Sequence, residues 1–165
     1  MTKSEENLAA AFAGESQANR KYLAFAKQAE KEGFMQAAKL FRAAAEAETV
    51  HAHSHLRVLG GIKSTKENLM EAVSGETHEF TAMYPEMIAE AAAEGNTQAE
   101  RTFRFANEVE KVHANLYQQM LDTLDAGTET YDYYICSVCG HTVEREAPAK
   151  CVVCNANTSA FFKAP

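Results

Sequence analysis

The chain has 165 residues, 46% hydrophobic and 24% charged, and a net charge of −7, which bounds it to one globular domain or one large and one very small domain. The negative balance argues against nucleic acid and anionic membrane surfaces as partners. No apolar run approaches ~18 residues and no cleavable apolar core follows the N-terminus, so a soluble, cytoplasmic protein is expected.

Residues 1–127 are rich in Ala and Glu, contain a single proline, and space their apolar residues by three and four. That pattern predicts four long helices. The first opens at Thr2 with Glu5 three residues on, a capping-box pairing, and runs to Gly33. The second begins near Phe34 and stops at Gly60-Gly61. The third opens at Ser64, with Glu67 as its box partner, and ends at Gly95. Pro85 lies inside it, removes a hydrogen bond and should bend it. The fourth runs from Thr97, with Glu100, to Gly127. Each helix would be about 40 to 45 Å long at 1.5 Å per residue. The links between them are short, which favours antiparallel neighbours in a four-helix bundle.

The texture changes in residues 128–165, with short β-branched and aromatic runs, two of the three prolines and all four cysteines. Such a segment is too short to build an adequate apolar core, and a metal would supply the missing stabilisation. Cys136-Ser-Val-Cys139 and Cys151-Val-Val-Cys154 are paired Cys-x-x-Cys knuckles that place four thiolates tetrahedrally. Gly140 and Asn155 follow the knuckles, where a positive φ is often needed. Zinc and iron both take this geometry, and the tail taken alone favours a structural zinc ribbon. The expected domains are therefore 1–127 and 128–165.

The fourth helix carries an anomaly. Its buried side is marked by Phe103, Ala106, Val109, Leu116 and Met120, yet Glu110 and His113 lie beside that stripe. Burying such groups without partners costs several kcal/mol, about 1 to 5. The second helix repeats the motif as Glu48 and His51, the first offers Glu15, and the third offers Glu76 and Glu79. One Glu from each of two helices and Glu-x-x-His from each of the other two is the ligand set of a dinuclear site in a helical bundle. Carboxylates with a few imidazoles favour iron or manganese. Glu79 is surplus to that basic set. His53 and His78 are offset from the ligand faces and expected at solvent, and His55 is expected to be partly exposed. Tyr22, two turns beyond Glu15, and Tyr84, next to Pro85, are either core tyrosines or neighbours of the metals.

The segments "FAGESQANRKY", "ETVH", "GETHEFTAMYPE" and "EKVH", followed by the paired knuckles, resemble the rubrerythrin family over nearly the whole chain. The resemblance implies a ferritin-like di-iron four-helix bundle followed by a rubredoxin-like domain. It implies that Glu15, Glu76 and His113 are terminal ligands, that Glu48 and Glu110 bridge, and that Glu79 alternates with His51 on one iron. Tyr22 and Tyr84 match tyrosines that hydrogen-bond near the iron pair, and Cys136, Cys139, Cys151 and Cys154 hold a third iron. The second knuckle departs from the family pattern, with Val152-Val153 and Asn155 in place of proline and glycine, and the chain has no tryptophan.

The implied activity is a peroxidase reducing hydrogen peroxide to water, with electrons relayed through the iron of the four-cysteine site. The external donor is reduced rubredoxin or an NAD(P)H-dependent reductase, since no nucleotide-binding motif occurs in the chain. A tail leaving the far end of the bundle would sit far from its own iron pair, so a head-to-tail homodimer or higher oligomer is expected. The competing functions are a ferroxidase or iron-storage protein, and a metal-binding sensor with a structural zinc tail.

Overall fold

The structure is a computed structural model describing residues 1–127 and 129–165; Thr128, where the expected second domain begins, lies outside the described residues. The order is α1 (Lys3–Lys31), α2 (Met35–Val58), α3 (Thr65–His78), a π-helical turn (Glu79–Met83), α4 (Tyr84–Ala93), α5 (Thr97–Thr123), β1 (Tyr133–Cys136), β2 (Thr142–Glu144) and β3 (Phe161–Lys163). The protein is mainly α with a small C-terminal β lobe. It divides into two compact units, residues 1–63 and 64–165.

The first unit is the α1–α2 hairpin. Thr2 and Glu5 form the expected capping box, which satisfies two N–H groups that the helix start would leave orphaned. Ala38, Ala45 and Ala52 repeat every seven residues on α2 and are buried, as are Ala26 and Ala29 on α1. Small residues on a heptad seam let two helices lie close along their length. A polar tie crosses the seam, where Asn19 Nδ2 donates to the Ala45 carbonyl at 2.7 Å and to Thr49 Oγ1 at 2.8 Å. Tyr22, Phe25 and Phe41 form a ring cluster, with Phe25 and Phe41 edge-on at 5.6 Å.

The second unit holds the remaining elements. Ser64 and Glu67 cap α3 as expected. The cap of α5 is Asn96 rather than Thr97, its side chain accepting the Ala99 N–H at 3.1 Å. Asn reaches that donor as readily as Thr does, and capping shifts by one residue without moving the helix. At its other end α5 stops at Thr123, and a single 3-10 turn, Leu124–Ala126, leads to Gly127.

The third predicted helix is interrupted. Pro85 has no N–H to offer, and the chain accommodates this with the wider π turn, in which the Tyr84 N–H bonds the Glu79 carbonyl five residues back. Glu79 opens that turn and Tyr84 follows it.

In the lobe, β1 is central and pairs antiparallel with β2 and β3, with Ile135 opposite Thr142 and Cys136 opposite Phe161. The lobe doubles back onto α5. Gly140 takes φ +85°, the left-handed conformation that favours glycine, and a Cβ at this position would stand 3.8 Å from Val109 Cγ1. The knuckle turn therefore lies directly against the helix.

Candidate metal centres

The four cysteines converge. Cys136 Sγ lies 3.6 Å from Cys154 Sγ, and Cys139 Sγ 3.5 Å from Cys151 Sγ. A tetrahedral ion with metal–sulfur bonds of about 2.3 Å separates its sulfurs by about 3.8 Å, so the cage fits one ion with little adjustment. No disulfide joins the four cysteines. The two knuckles match: the Gly140 N–H bonds the Cys136 carbonyl at 2.8 Å, and the Asn155 N–H the Cys151 carbonyl at 2.9 Å. Asn155 takes φ +62°, in line with its place after the second knuckle. The N–H groups of Val138 and Cys139 point at Cys136 sulfur, that of His141 at Cys139, and that of Ala156 at Cys154. Such bonds favour thiolate over thiol and work against the burial that raises Cys139 and Cys154.

In the first unit, Glu15, Glu48 and His51 bring one ligand atom each to within 4.8 Å of one another. His51 Nδ1 is 2.9 Å from Glu48 Oε2 and 3.9 Å from Glu15 Oε1. The i, i+3 spacing stacks Glu48 and His51 on one face of α2, and α1 delivers Glu15 to it. Tyr22 sits in the ring cluster already described. His53 is exposed and His55 half-buried, as the helical phase indicated.

In the second unit, Glu76, Glu110 and His113 form an equivalent triad. His113 Nδ1 lies 2.7 Å from Glu110 Oε2 and 3.8 Å from Glu76 Oε1. Burial, then repulsion from Glu110, pushes the Glu76 carboxyl up to about 7, and Glu79 adds to the effect. Glu110 is raised by burial and by Glu79, against a hydrogen bond from Glu76 that lowers it. Tyr84 is raised by burial and then by Glu79, Glu110 and Glu76, which places its hydroxyl among the acids. Concentrated negative charge with shielded carboxylates is the donor chemistry that divalent ions relieve. His78 is exposed.

Three further groups near this triad have weak sequence signals. Tyr117, one turn beyond His113, is raised by burial and by Glu76 and Glu110; its spacing from Glu110 equals that of Tyr22 from Glu15. Thr142 Oγ1 stands 2.9 Å from His113 Nε2. His141 is buried, with Nδ1 lacking a hydrogen-bond partner, and lies edge-on to Phe161. Only the folded-back lobe brings the last two to α5. That return also removes the need for a second chain to bring a four-cysteine lobe to a triad histidine.

The Glu76 shift has a consequence for the metal-free protein. A carboxyl raised in the folded state contributes stability that is fully present below its unfolded value near 4.5 and is lost as pH rises through about 7. His113, lowered by burial, acts in the opposite sense and loses stability as pH falls. Comparison with Glu76→Gln isolates the first effect: thermal melts of the metal-free proteins should show the variant gaining on the wild type between pH 5 and pH 8. Parallel melting curves across that window would refute it.

Helices bearing two carboxylate–imidazole triads, joined to a lobe with four converging cysteines, give the donor sets of a redox-type metalloprotein with two kinds of candidate metal centre. A family model described as "Rubrerythrin" matches residues 6–121, and one described as "Rubrerythrin, rubredoxin-like domain" matches residues 134–162. Rubrerythrin-2 of Clostridium acetobutylicum is 35% identical over 173 residues, covering 93% of this chain and 92% of that protein. Nigerythrin of Nitratidesulfovibrio vulgaris is 35% identical over 163 residues, covering 90% and 80% respectively. A structure of nigerythrin described as fully reduced, all ferrous, is similar with TM-score 0.60 and 32% identity over 99% of this chain and 88% of that one. The chain belongs to the rubrerythrin family. Among the described residues no helix is long and apolar enough to cross a membrane.

Proposed function

We propose that the protein is a peroxidase that reduces hydrogen peroxide to water at a di-iron centre, drawing electrons through iron in the four-cysteine site from an external donor, reduced rubredoxin or an NAD(P)H-dependent reductase. The observation that carries the reading is the thiolate cage folded against the helix that bears His113. Storage of iron has no use for a one-electron relay beside its ligands. Nigerythrin, described in an all-ferrous state, makes iron the metal of choice.

By the family resemblance, Glu15, Glu48, His51, Glu76, Glu110 and His113 would hold the iron pair; the structure gathers them as two triads, one in each unit. Reduction of one peroxide to two waters consumes two electrons and two protons. A ferrous pair would supply both electrons and Lewis acidity toward the peroxide oxygens. The protein's residues do the rest. Glu48 and Glu110 would hold both metals, and Glu79 and His51 would serve in turn as ligands to one of them, as the family resemblance implies. Tyr84, held protonated by burial and by its acidic neighbours, keeps an O–H available to donate to a carboxylate or substrate oxygen. Tyr22 serves the same purpose for the Glu15 triad. The working form is a homodimer or higher oligomer.

The test is anaerobic stopped-flow on the iron-loaded, fully reduced protein. Fast return of the ferric tetrathiolate colour with hydrogen peroxide and slow return with oxygen are expected. A colourless, zinc-filled tail, or no preference for peroxide, would overturn the reading in favour of sensing or iron handling.

A further inference from the structure

His113 uses both ring nitrogens. Nδ1 faces Glu110 Oε2 at 2.7 Å, and Nε2 faces Thr142 Oγ1 at 2.9 Å. The Thr142 hydroxyl donates its own proton to the Gly140 carbonyl at 3.1 Å. A hydroxyl has one proton to give, so with that proton committed to Gly140 it can only accept from His113. Nε2 therefore carries hydrogen, and Nδ1, the nitrogen beside the Glu110 carboxylate, is the one turned into the triad. The hydroxyl is held in place by β2, whose first residue is Thr142, and by the Gly140 turn lying against Val109.

We propose that Thr142 is a positioning residue for His113: its hydroxyl fixes the ring's orientation and ties the imidazole, through the Gly140 carbonyl, to the first cysteine knuckle. The connection runs within one chain, from Cys139 through its neighbour Gly140 to Thr142 and on to His113. Outer hydrogen bonds of this kind orient a ligand and raise its basicity, and their loss costs about 10- to 100-fold in metal affinity. The inference rests on the reading of Glu76, Glu110 and His113 as metal ligands.

Thr142→Val keeps the shape and β-branching of the side chain and removes only the hydroxyl. Without that acceptor, Nε2–H has no partner, and the ring loses the tie that orients it. Ferrous-ion titration of the helical sites should be about 10- to 100-fold weaker in Thr142→Val and recover in Thr142→Ser. Wild-type affinity in Thr142→Val, or no recovery in Thr142→Ser, would overturn the proposal while His113→Gln still loses iron. If His113→Gln keeps full iron stoichiometry in the helical sites, the ligand reading fails and this proposal falls with it.

Discussion

Replacing Glu110 by alanine is expected to abolish peroxide turnover, lowering it by at least about 100-fold, because one change removes three functions. Glu110 is the carboxylate nearest His113, the hydrogen-bond partner of Glu76 and a proposed bridge between the metals. Without it the second triad keeps one carboxylate and one imidazole, too few to hold an ion against water at ordinary iron concentrations. The loss differs from simple destabilisation. Removing one of a group of mutually repelling acids relieves the metal-free protein, so its melting temperature should hold or rise while bound iron falls. Stopped-flow reoxidation, iron analysis and thermal melts on the same sample decide the matter. Wild-type iron content with wild-type peroxide kinetics would remove Glu110 from the centre.

The second large effect is expected at Cys151. In residues 129–165 the buried positions are Cys136, His141 and Cys151, so the lobe's interior is largely its metal site. Cys151→Ser removes a thiolate from a four-ligand cage and with it the energy that folds the lobe; structural sites of this kind contribute about 10 kcal/mol or more. The visible ferric-thiolate band should vanish and residues 129–165 should become sensitive to protease, while the helices keep their far-ultraviolet signal. A reduced helical centre should still consume a single equivalent of peroxide, but repeated turnover driven by an external donor should stop. Sustained turnover at the wild-type rate would show that electrons bypass the lobe.

Much of this architecture was legible along the chain, and the reasons are local. Thr2 with Glu5 and Ser64 with Glu67 are capping boxes written within four residues. Glu48 with His51 and Glu110 with His113 share helix faces through the three-residue spacing alone. The cysteine knuckles announce their turns through Gly140 and Asn155. The features that were hidden depend on how the chain responds or returns. Pro85 signals a lost hydrogen bond, but nothing in its neighbours says that the helix will widen into a π turn rather than simply kink. Thr142 lies 29 residues from His113 and meets it only because the lobe folds back over α5. The same return undoes the argument that distance requires a partner chain to supply the four-cysteine centre, since that argument took the tail to continue outward from the helix. Tyr117 was readable in principle from its spacing, yet a tyrosine on a helix face is more often core than site.

The α1–α2 hairpin carries a consequence for the order of biosynthesis. Its seam of Ala38, Ala45 and Ala52, the Asn19 tie and the aromatic cluster all join two segments linked by a tight turn at Glu32–Phe34. Contacts so close in sequence form quickly, and this unit leaves the ribosome before residues 64–165. Glu15, Glu48 and His51 can therefore be gathered while residues 64–165 are still being made. The nascent chain thus has a triad ready for a cation before its cysteines have been translated.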